Sequence, residues 1–380
     1  MAVVASLRTQ TLEPGDLVAE RYAVEGLIAH GSMGGVYAAT DVDLGRRVAI
    51  KVAKGAQADL RELERRLKTE ARAAGRLEGD HVARILEFGH LRDGSPYLVM
   101  ERLRGETLED VLQREGRLPI VAAVGWVLQA CVGLAEAHAL GIVHRDVKPE
   151  NLFLAERPDG QVRLKLIDFG AAAFQAKGWQ VGSLDQAAIG TLHYMAPEQL
   201  QRPPRIDPRS DVWALGATLY ELVGGVSPFA SDDRAEMVTR IRDEEPRSLL
   251  QLREELNPFL DGVIQRCLDK AMARRYPDVA ALAAALSPYG PSGAHGLASR
   301  AARVLNRAGN DAPIAVPPRP PRGKLESVPF VLACTEADVD GEDVLVEAPR
   351  PDNEPRARLE SVPLALGTPA HEQDVPVEGD

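Results

Sequence analysis

The first third of the chain alternates apolar and polar positions in short runs. Three runs rich in β-branched residues are separated by Gly or Asp, which predicts strands at Tyr22–Ile28, Gly35–Thr40 and Arg47–Val52. Apolar residues then recur at helical spacing, which predicts a helix over residues 58–77. This part of the chain is expected to form a small sheet with one helix.

Helical patterns dominate from about Thr107 to Leu286, interrupted by two strand-like runs at Leu152–Leu154 and Val162–Ile167. A small sheet-rich part followed by a larger helical part predicts an α+β, two-lobed fold. The expected divisions are an N-terminal extension, a sheet-rich lobe, a helical lobe and a tail, at residues 1–21, 22–103, 104–287 and 288–380.

One apolar stretch resembles a membrane span. Leu118–Ala135 holds 18 residues without a charge, close to the length that crosses a bilayer. Pro119, Gly125 and Gln129 weaken that interpretation, and the stretch leads directly into a polar loop. A buried core helix is the favoured interpretation, with no membrane span expected.

Composition narrows the class of protein. The chain has 380 residues, 45% of them hydrophobic, and a net charge of −11, so it can build a core and does not resemble a nucleic-acid binder. Its 3 cysteines form no CxxC pair, which argues against a disulfide framework and a zinc site. With no secretory signal recognised, a cytoplasmic protein is expected.

The last 50 residues carry most of the net charge and favour a disordered, Pro-rich and acidic tail. The motif LESVP occurs twice, around Ser327 and Ser361. Local duplication is the favoured explanation, and a repeated docking or phosphorylation motif for partner proteins is the alternative.

The decisive chemistry lies in HRDVKPEN, from His144 to Asn151, which is flanked by apolar residues on both sides. A second run, VRLKLI, ends in Asp168-Phe169-Gly170. Two carboxylates and an amide at the ends of short strands suit Mg²⁺, which prefers oxygen ligands.

With these motifs the sequence resembles the protein kinase superfamily, specifically the eukaryotic-like serine/threonine kinases of bacteria, over about Tyr22 to Leu286. The resemblance implies that Asp146 orients the acceptor hydroxyl, Lys148 neutralises the transferred phosphoryl group, and Asn151 and Asp168 hold Mg²⁺, with Mn²⁺ as a substitute. It also implies ATP as phosphate donor and protein Ser/Thr residues as acceptors.

Lys51, in VAIK, matches the family's ATP-binding lysine. Glu70 shares its helix face with apolar residues such as Leu63 and Leu67, and a buried carboxylate requires a cationic partner. A Lys51–Glu70 ion pair is therefore expected.

The resemblance assigns the nucleotide site to a Gly-rich loop and a hinge. The loop departs from the family pattern because Ala29 replaces its first glycine, and weaker ATP binding is the expected consequence. Residues assigned to this site are Ala29, Gly31, Gly34, Val36, Lys51, Met100, Glu101 and Leu103.

Regulatory and structural roles follow from the same resemblance. Thr191 is expected to shape the acceptor site, and Arg145 to bind a phosphate on the activation loop, with Ser183 as a candidate autophosphorylation site. Glu198 is expected to pair with Arg275, and Asp211 to hold the catalytic loop.

Two functions from different classes are compatible with the sequence. The favoured one is an active cytosolic kinase in signal transduction, which autophosphorylates. The alternative is a catalytically weak pseudokinase that recruits partners through its fold and tail, for which Ala29 is the only indication.

Overall fold

The structure is a computed structural model that describes residues 12–31, 34–53, 60–169, 192–201 and 203–307. Its first part is a six-stranded antiparallel sheet in the order β1-β2-β3-β4-β6-β5. These strands are β1 Leu17–Val18, β2 Tyr22–Gly31, β3 Gly34–Asp41, β4 Arg46–Ala53, β5 Ile85–His90 and β6 Pro96–Glu101.

Helix α1, Leu60–Ala74, packs on this sheet through Leu67, which contacts Ala53 and Leu98 in a small apolar cluster. The three predicted strands and the predicted helix correspond to β2, β3, β4 and α1. Strands β5 and β6 were not predicted. Every residue of β5 is partly or fully exposed, so its sequence lacks the alternation that marks a strand with one buried face.

The second part is helical and contains the larger core. Its described helices are α2 Leu108–Glu115, α3 Ile120–Ala139, α4 Arg209–Gly224, α5 Arg234–Asp243, α6 Pro258–Cys267, α7 Val279–Leu286 and α8 Ala294–Arg307. The α+β, two-lobed architecture is thereby confirmed.

Helix α3 contains most of the apolar stretch that resembles a membrane span. Among the described residues it is the one helix long and apolar enough to cross a bilayer, and most of it is buried inside the protein. Its burial agrees with the core-helix interpretation.

A three-stranded sheet of β7 Gly105–Thr107, β8 Leu152–Glu156 and β9 Val162–Leu166 lies between the two parts. Backbone hydrogen bonds connect β9 to the segment after α1: Leu166 donates to the His81 carbonyl at 2.8 Å, and Ala83 donates to the Leu166 carbonyl at 2.9 Å. The strand that precedes Asp168 is thus attached to both parts of the molecule.

The prediction that a disordered tail begins at residue 288 is wrong for the segment that forms α8. Apolar residues at helical spacing, Ala294, Ala298, Ala301 and Leu305, are buried against the core. Ser287 and His295 also contact each other at 2.9 Å. The segment was missed because alanine is only weakly hydrophobic and the surrounding Pro, Gly and Arg residues resemble a linker.

Substitution of Leu305 tests whether α8 belongs to the folded core. Leu305→Ala removes a buried side chain and should lower the free energy of unfolding by about 2 kcal/mol in urea denaturation of the full chain. Asn306→Ala, at the exposed neighbouring position, is the control. Equal stabilities of the two variants would show that α8 does not stabilise the domain.

Candidate active site

Three charged side chains from separate elements meet at the junction of the two parts. Lys51 lies on β4, Glu70 on α1 and Asp168 two residues after β9. The Lys51 Nζ is 3.1 Å from Glu70 Oε2 and 3.0 Å from Asp168 Oδ2. The predicted Lys51–Glu70 pair is therefore present, with Asp168 as an additional partner.

Burial and charge act in opposite directions on Lys51. Burial favours its neutral form, but the Asp168 and Glu70 carboxylates outweigh burial and raise the Lys51 pKa above its ordinary value. Burial also raises the pKa of Glu70, which the Lys51 ammonium opposes. The ammonium is thus held charged between the two carboxylates.

The loop that follows α3 presents Asp146, Lys148 and Asn151 together. The Asn151 Nδ2 donates to the backbone carbonyl of Asp146 at 2.7 Å and to its Oδ2 at 3.0 Å. The Lys148 Nζ lies 3.6 Å from the same Oδ2. Burial raises the pKa of Asp146, with a further increase from the nearby Asp168 carboxylate and a partial offset by Lys148. A raised pKa suits a carboxylate that accepts a proton.

A buried carboxylate on α4 binds the backbone of this loop. Asp211, in the first turn of α4, accepts backbone hydrogen bonds from His144 at 2.9 Å and Arg145 at 2.8 Å. The His138 Nε2 donates to it at 2.7 Å. Burial would raise the Asp211 pKa, but the hydrogen bond and charge of His138 outweigh it, and the pKa is lowered. The predicted role of Asp211 agrees with this geometry.

Two residues of the site adopt backbone conformations that non-glycine residues rarely adopt. Arg145 has φ of 68° and Asp168 has φ of 61°, both in the left-handed region. His144 joins the two segments, since its Nε2 lies 3.3 Å from the Ile167 carbonyl and its ring packs on Phe169. Such strain persists where surrounding contacts determine the conformation, and it clusters at functional sites.

The predicted Gly-rich loop connects β2 and β3. Ala29 pairs with Val36 and Gly31 with Gly34, while Val36 also pairs with Lys51 on the next strand. Gly34 has φ of 145°, which favours glycine, whereas Ala29 is not among the described residues with positive φ. The backbone therefore accepts alanine at position 29 without strain.

The predicted hinge residues follow one another at the end of β6. Met100 packs on the cluster around α1, and Glu101 and Leu103 continue toward β7. The Glu101 carboxylate accepts hydrogen bonds from Lys165 Nζ at 2.7 Å and from the Arg84 backbone at 2.8 Å. Lys165, which the sequence did not single out, thus attaches the hinge to β9.

Glu198 and Arg275 form a buried bidentate ion pair, with distances of 2.7 Å and 2.8 Å. Ser210 donates to Glu198 at 2.7 Å, and the Arg275 guanidinium lies over the Trp213 ring. These contacts connect the segment after residue 191 to the end of the helical part, as expected.

Arg145 is buried, and its Nε and Nη1 have no hydrogen-bond partner within the part of the chain that the structure describes. Burial lowers its pKa, opposed by Asp211. Ser183 and Thr191, the other residues predicted for regulation and the acceptor site, lie outside the described residues.

The donor set at Asn151 and Asp168 fits a magnesium ion. Because the Asn151 Nδ2 is bonded to Asp146, its Oδ1 is the atom that remains for a cation. The Asp168 side chain is 37% exposed, so one of its carboxylate oxygens is accessible to a cation. Oxygen ligands of this kind, completed by phosphates and water, are what Mg²⁺ prefers.

Sequence reasoning missed His138, Lys165 and the role of the His144 ring. His138 lies near the end of a largely apolar helix, and a buried polar residue in such a place indicates a hydrogen-bond partner. Lys165 occupies an ordinary strand position, and nothing in the sequence distinguishes it.

This combination of a sheet-bound lysine paired with a helix glutamate, a loop aspartate, and an amide and a carboxylate suited to a metal ion defines a protein kinase domain. The protein kinase domain family matches residues 22–286, and the chain belongs to this family. Its relatives place it among the bacterial serine/threonine protein kinases.

Three relatives illustrate this similarity. Serine/threonine-protein kinase pkn3 of Myxococcus xanthus is 35% identical over 265 residues, covering 69% of this chain and 48% of that protein. PknA of Mycobacterium tuberculosis is 38% identical over 291 residues, covering 73% and 65%. PknL of the same species is 35% identical over 277 residues, covering 71% and 66%. The matched region thus spans between 48% and 66% of the length of these relatives.

Removal of Glu198 tests the buried ion pair. Glu198→Ala leaves the Arg275 charge buried without its carboxylate and should lower the free energy of unfolding by about 3–5 kcal/mol. Glu255→Ala removes a largely exposed carboxylate from Arg253 and should change the free energy of unfolding far less, because solvent screens an exposed ion pair. Similar losses in urea denaturation would contradict this assignment.

Proposed function

We propose that the chain is an active protein serine/threonine kinase that transfers the γ-phosphate of ATP to a Ser or Thr hydroxyl. The observation that carries this proposal is the contact of one lysine, Lys51, with both Glu70 and Asp168. In a kinase this arrangement aligns the phosphate-binding lysine with the metal-binding aspartate.

The remaining residues have defined roles in this reaction. Asp146 accepts the proton of the attacking hydroxyl as the new O–P bond forms and the bond from the γ-phosphorus to ADP breaks. Lys148, beside Asp146, neutralises the transferred phosphoryl group. The β2–β3 hairpin covers the phosphates, and the hinge backbone at Glu101 and Leu103 binds adenine. Catalysis then depends on positioning and electrostatics.

In this proposal Asn151 and Asp168 would hold Mg²⁺. Mn²⁺ also prefers oxygen ligands and would serve as a substitute. A bound ion would supply positive charge that offsets the negative charge developing on the transferred phosphoryl group. The hydrogen bonds to Asp146 fix the orientation of the Asn151 donor, and the ion pair with Lys51 positions the Asp168 carboxylate.

The location we propose is the cytoplasm, with a role in signal transduction. Cys131 and Cys267 are buried and form no disulfide among the described residues, which agrees with a reducing compartment. The complete set of Lys51, Glu70 and Asp168 contacts supports an active enzyme over the pseudokinase alternative.

Loss of the Asp146 carboxylate tests the proposal. Asp146→Asn removes the proton acceptor and should reduce phosphate incorporation from Mg–ATP into protein by about 100-fold or more. Asp159→Asn, in the exposed turn between β8 and β9, should act as wild type. Equal background incorporation by wild type and Asp146→Asn, with both proteins folded, would favour a scaffold without kinase activity.

We also propose that phosphorylation of Ser183 activates the enzyme through Arg145. The support is that two guanidinium nitrogens of Arg145 are buried and have no hydrogen-bond partner among residues 12–169 and 192–307 as far as the structure describes them. An added phosphate supplies strong acceptors and charge for such a group.

Ser183→Ala should abolish phosphorylation at this position and lower the transfer rate about tenfold, the effect of roughly one charge-assisted hydrogen bond. In an Arg145→Gln background, the same serine substitution should have no further effect on rate. Mass spectrometry of phosphopeptides and initial rates measure the two effects. Unchanged phosphorylation and rate in Ser183→Ala would refute this mechanism.

A further inference from the structure

One face of β9 carries two cationic side chains, Arg163 and Lys165. Side chains alternate along a strand, so these two lie on the same face, while the leucines beside them are buried on the other. Arg163 pairs with Asp80, in the segment between α1 and β5. Lys165 pairs instead with Glu101, at the end of β6 where the hinge begins. The two cations thus attach the same strand to different places in the sheet-rich part.

The Lys165 ammonium connects three segments of the chain. Its Nζ donates to Glu101 Oε1 at 2.7 Å and to the Val82 carbonyl at 3.3 Å, while its backbone belongs to β9. The same Glu101 oxygen accepts the Arg84 backbone N–H at 2.8 Å. The Lys165 and Glu101 side chains are 17% and 31% exposed, so water screens their attraction only in part. A rotation of the hinge at Glu101 would break these contacts together.

These contacts bear on adenine binding, and the inference rests on the proposed function, in which the backbone of Glu101 and Leu103 binds adenine. Holding the Glu101 carboxylate limits the rotation of the peptide groups attached to the same residue. Backbone groups fixed in direction before the ligand arrives bind it more tightly, since ordering a mobile segment costs affinity.

We propose that Lys165 is a positioning residue for the adenine of the nucleotide. Its ammonium fixes the Glu101 carboxylate, and with it the hinge backbone, without contacting the nucleotide. Asp168 follows Lys165 by three residues in the chain. One strand therefore positions both the backbone that binds adenine and the carboxylate suited to the metal ion.

The test is calorimetric titration of the full chain with adenosine and with ADP. Lys165→Met keeps the length of the side chain but removes its charge, and it should weaken adenosine binding about tenfold, the effect of roughly one charge-assisted hydrogen bond. Lys165→Arg retains a cationic donor and should stay within about threefold of wild type. ADP should lose affinity by the same factor as adenosine. A larger loss for ADP would show that the ammonium attracts phosphates directly and would overturn the proposal.

Arg163→Gln is the matched control, because it removes the neighbouring cation from the same face of β9. It should leave the affinity for adenosine within about twofold of wild type, since Asp80 lies outside the hinge. Equal losses in Arg163→Gln and Lys165→Met would assign both cations to general attachment of β9. Urea denaturation of the two variants establishes that both are folded under the titration conditions.

A double variant tests whether Lys165 acts through Glu101. In a Glu101→Met background, Lys165→Met should cause no further loss of adenosine affinity, because the contact is already absent. Additive losses would contradict action through this carboxylate.

Kinetics of phosphate incorporation separate positioning from catalysis. Lys165→Met should raise the KM for ATP about tenfold and leave kcat within about twofold of wild type, as expected for a residue that affects nucleotide binding alone. A fall in kcat at unchanged KM would overturn the proposal. Equal adenosine affinity of wild type and Lys165→Met would refute the positioning role and leave the kinase assignment intact. Failure of wild type to bind adenosine or ADP would refute the nucleotide site itself.

Discussion

The active site depends on one buried cation. Lys51 joins β4 to α1 through Glu70 and to the segment after β9 through Asp168. Removing any of the three leaves charge in a poorly solvated place, which costs more than the contact itself contributes. The ion pair is therefore better understood as a device that fixes relative position than as a source of stability.

A second buried charge performs the same task for the catalytic loop. Asp211 binds two successive backbone N–H groups, at His144 and Arg145, and thereby holds Arg145 in its left-handed conformation. Backbone strain of this type costs about 1–3 kcal/mol, which the surrounding hydrogen bonds offset. The loop can then present Asp146 and Asn151 without rearrangement.

Much of the fold and site could be predicted because their signals are local. Strands β2 to β4 are short runs rich in β-branched residues and bounded by Gly or Asp, and HRDVKPEN with Asp168 is too specific a combination to be accidental. The missed parts depend on contacts between residues distant in sequence. Lys165 contacts the hinge residue Glu101 because the hinge lies beside β9. Helix α8 belongs to the core because α3 and α7 pack against its alanines. The left-handed conformation of Asp168 is likewise set by neighbours that no local pattern specifies.

Helix α8 has a consequence for where the protein can be divided. The family match ends at residue 286, but the apolar surface under Ala298, Ala301 and Leu305 requires residues 294–307 as its cover. A recombinant fragment cut at the family boundary would present that surface to water, inviting self-association and poor solubility. Fragment design for crystallisation or ligand screening should therefore retain the chain to Arg307.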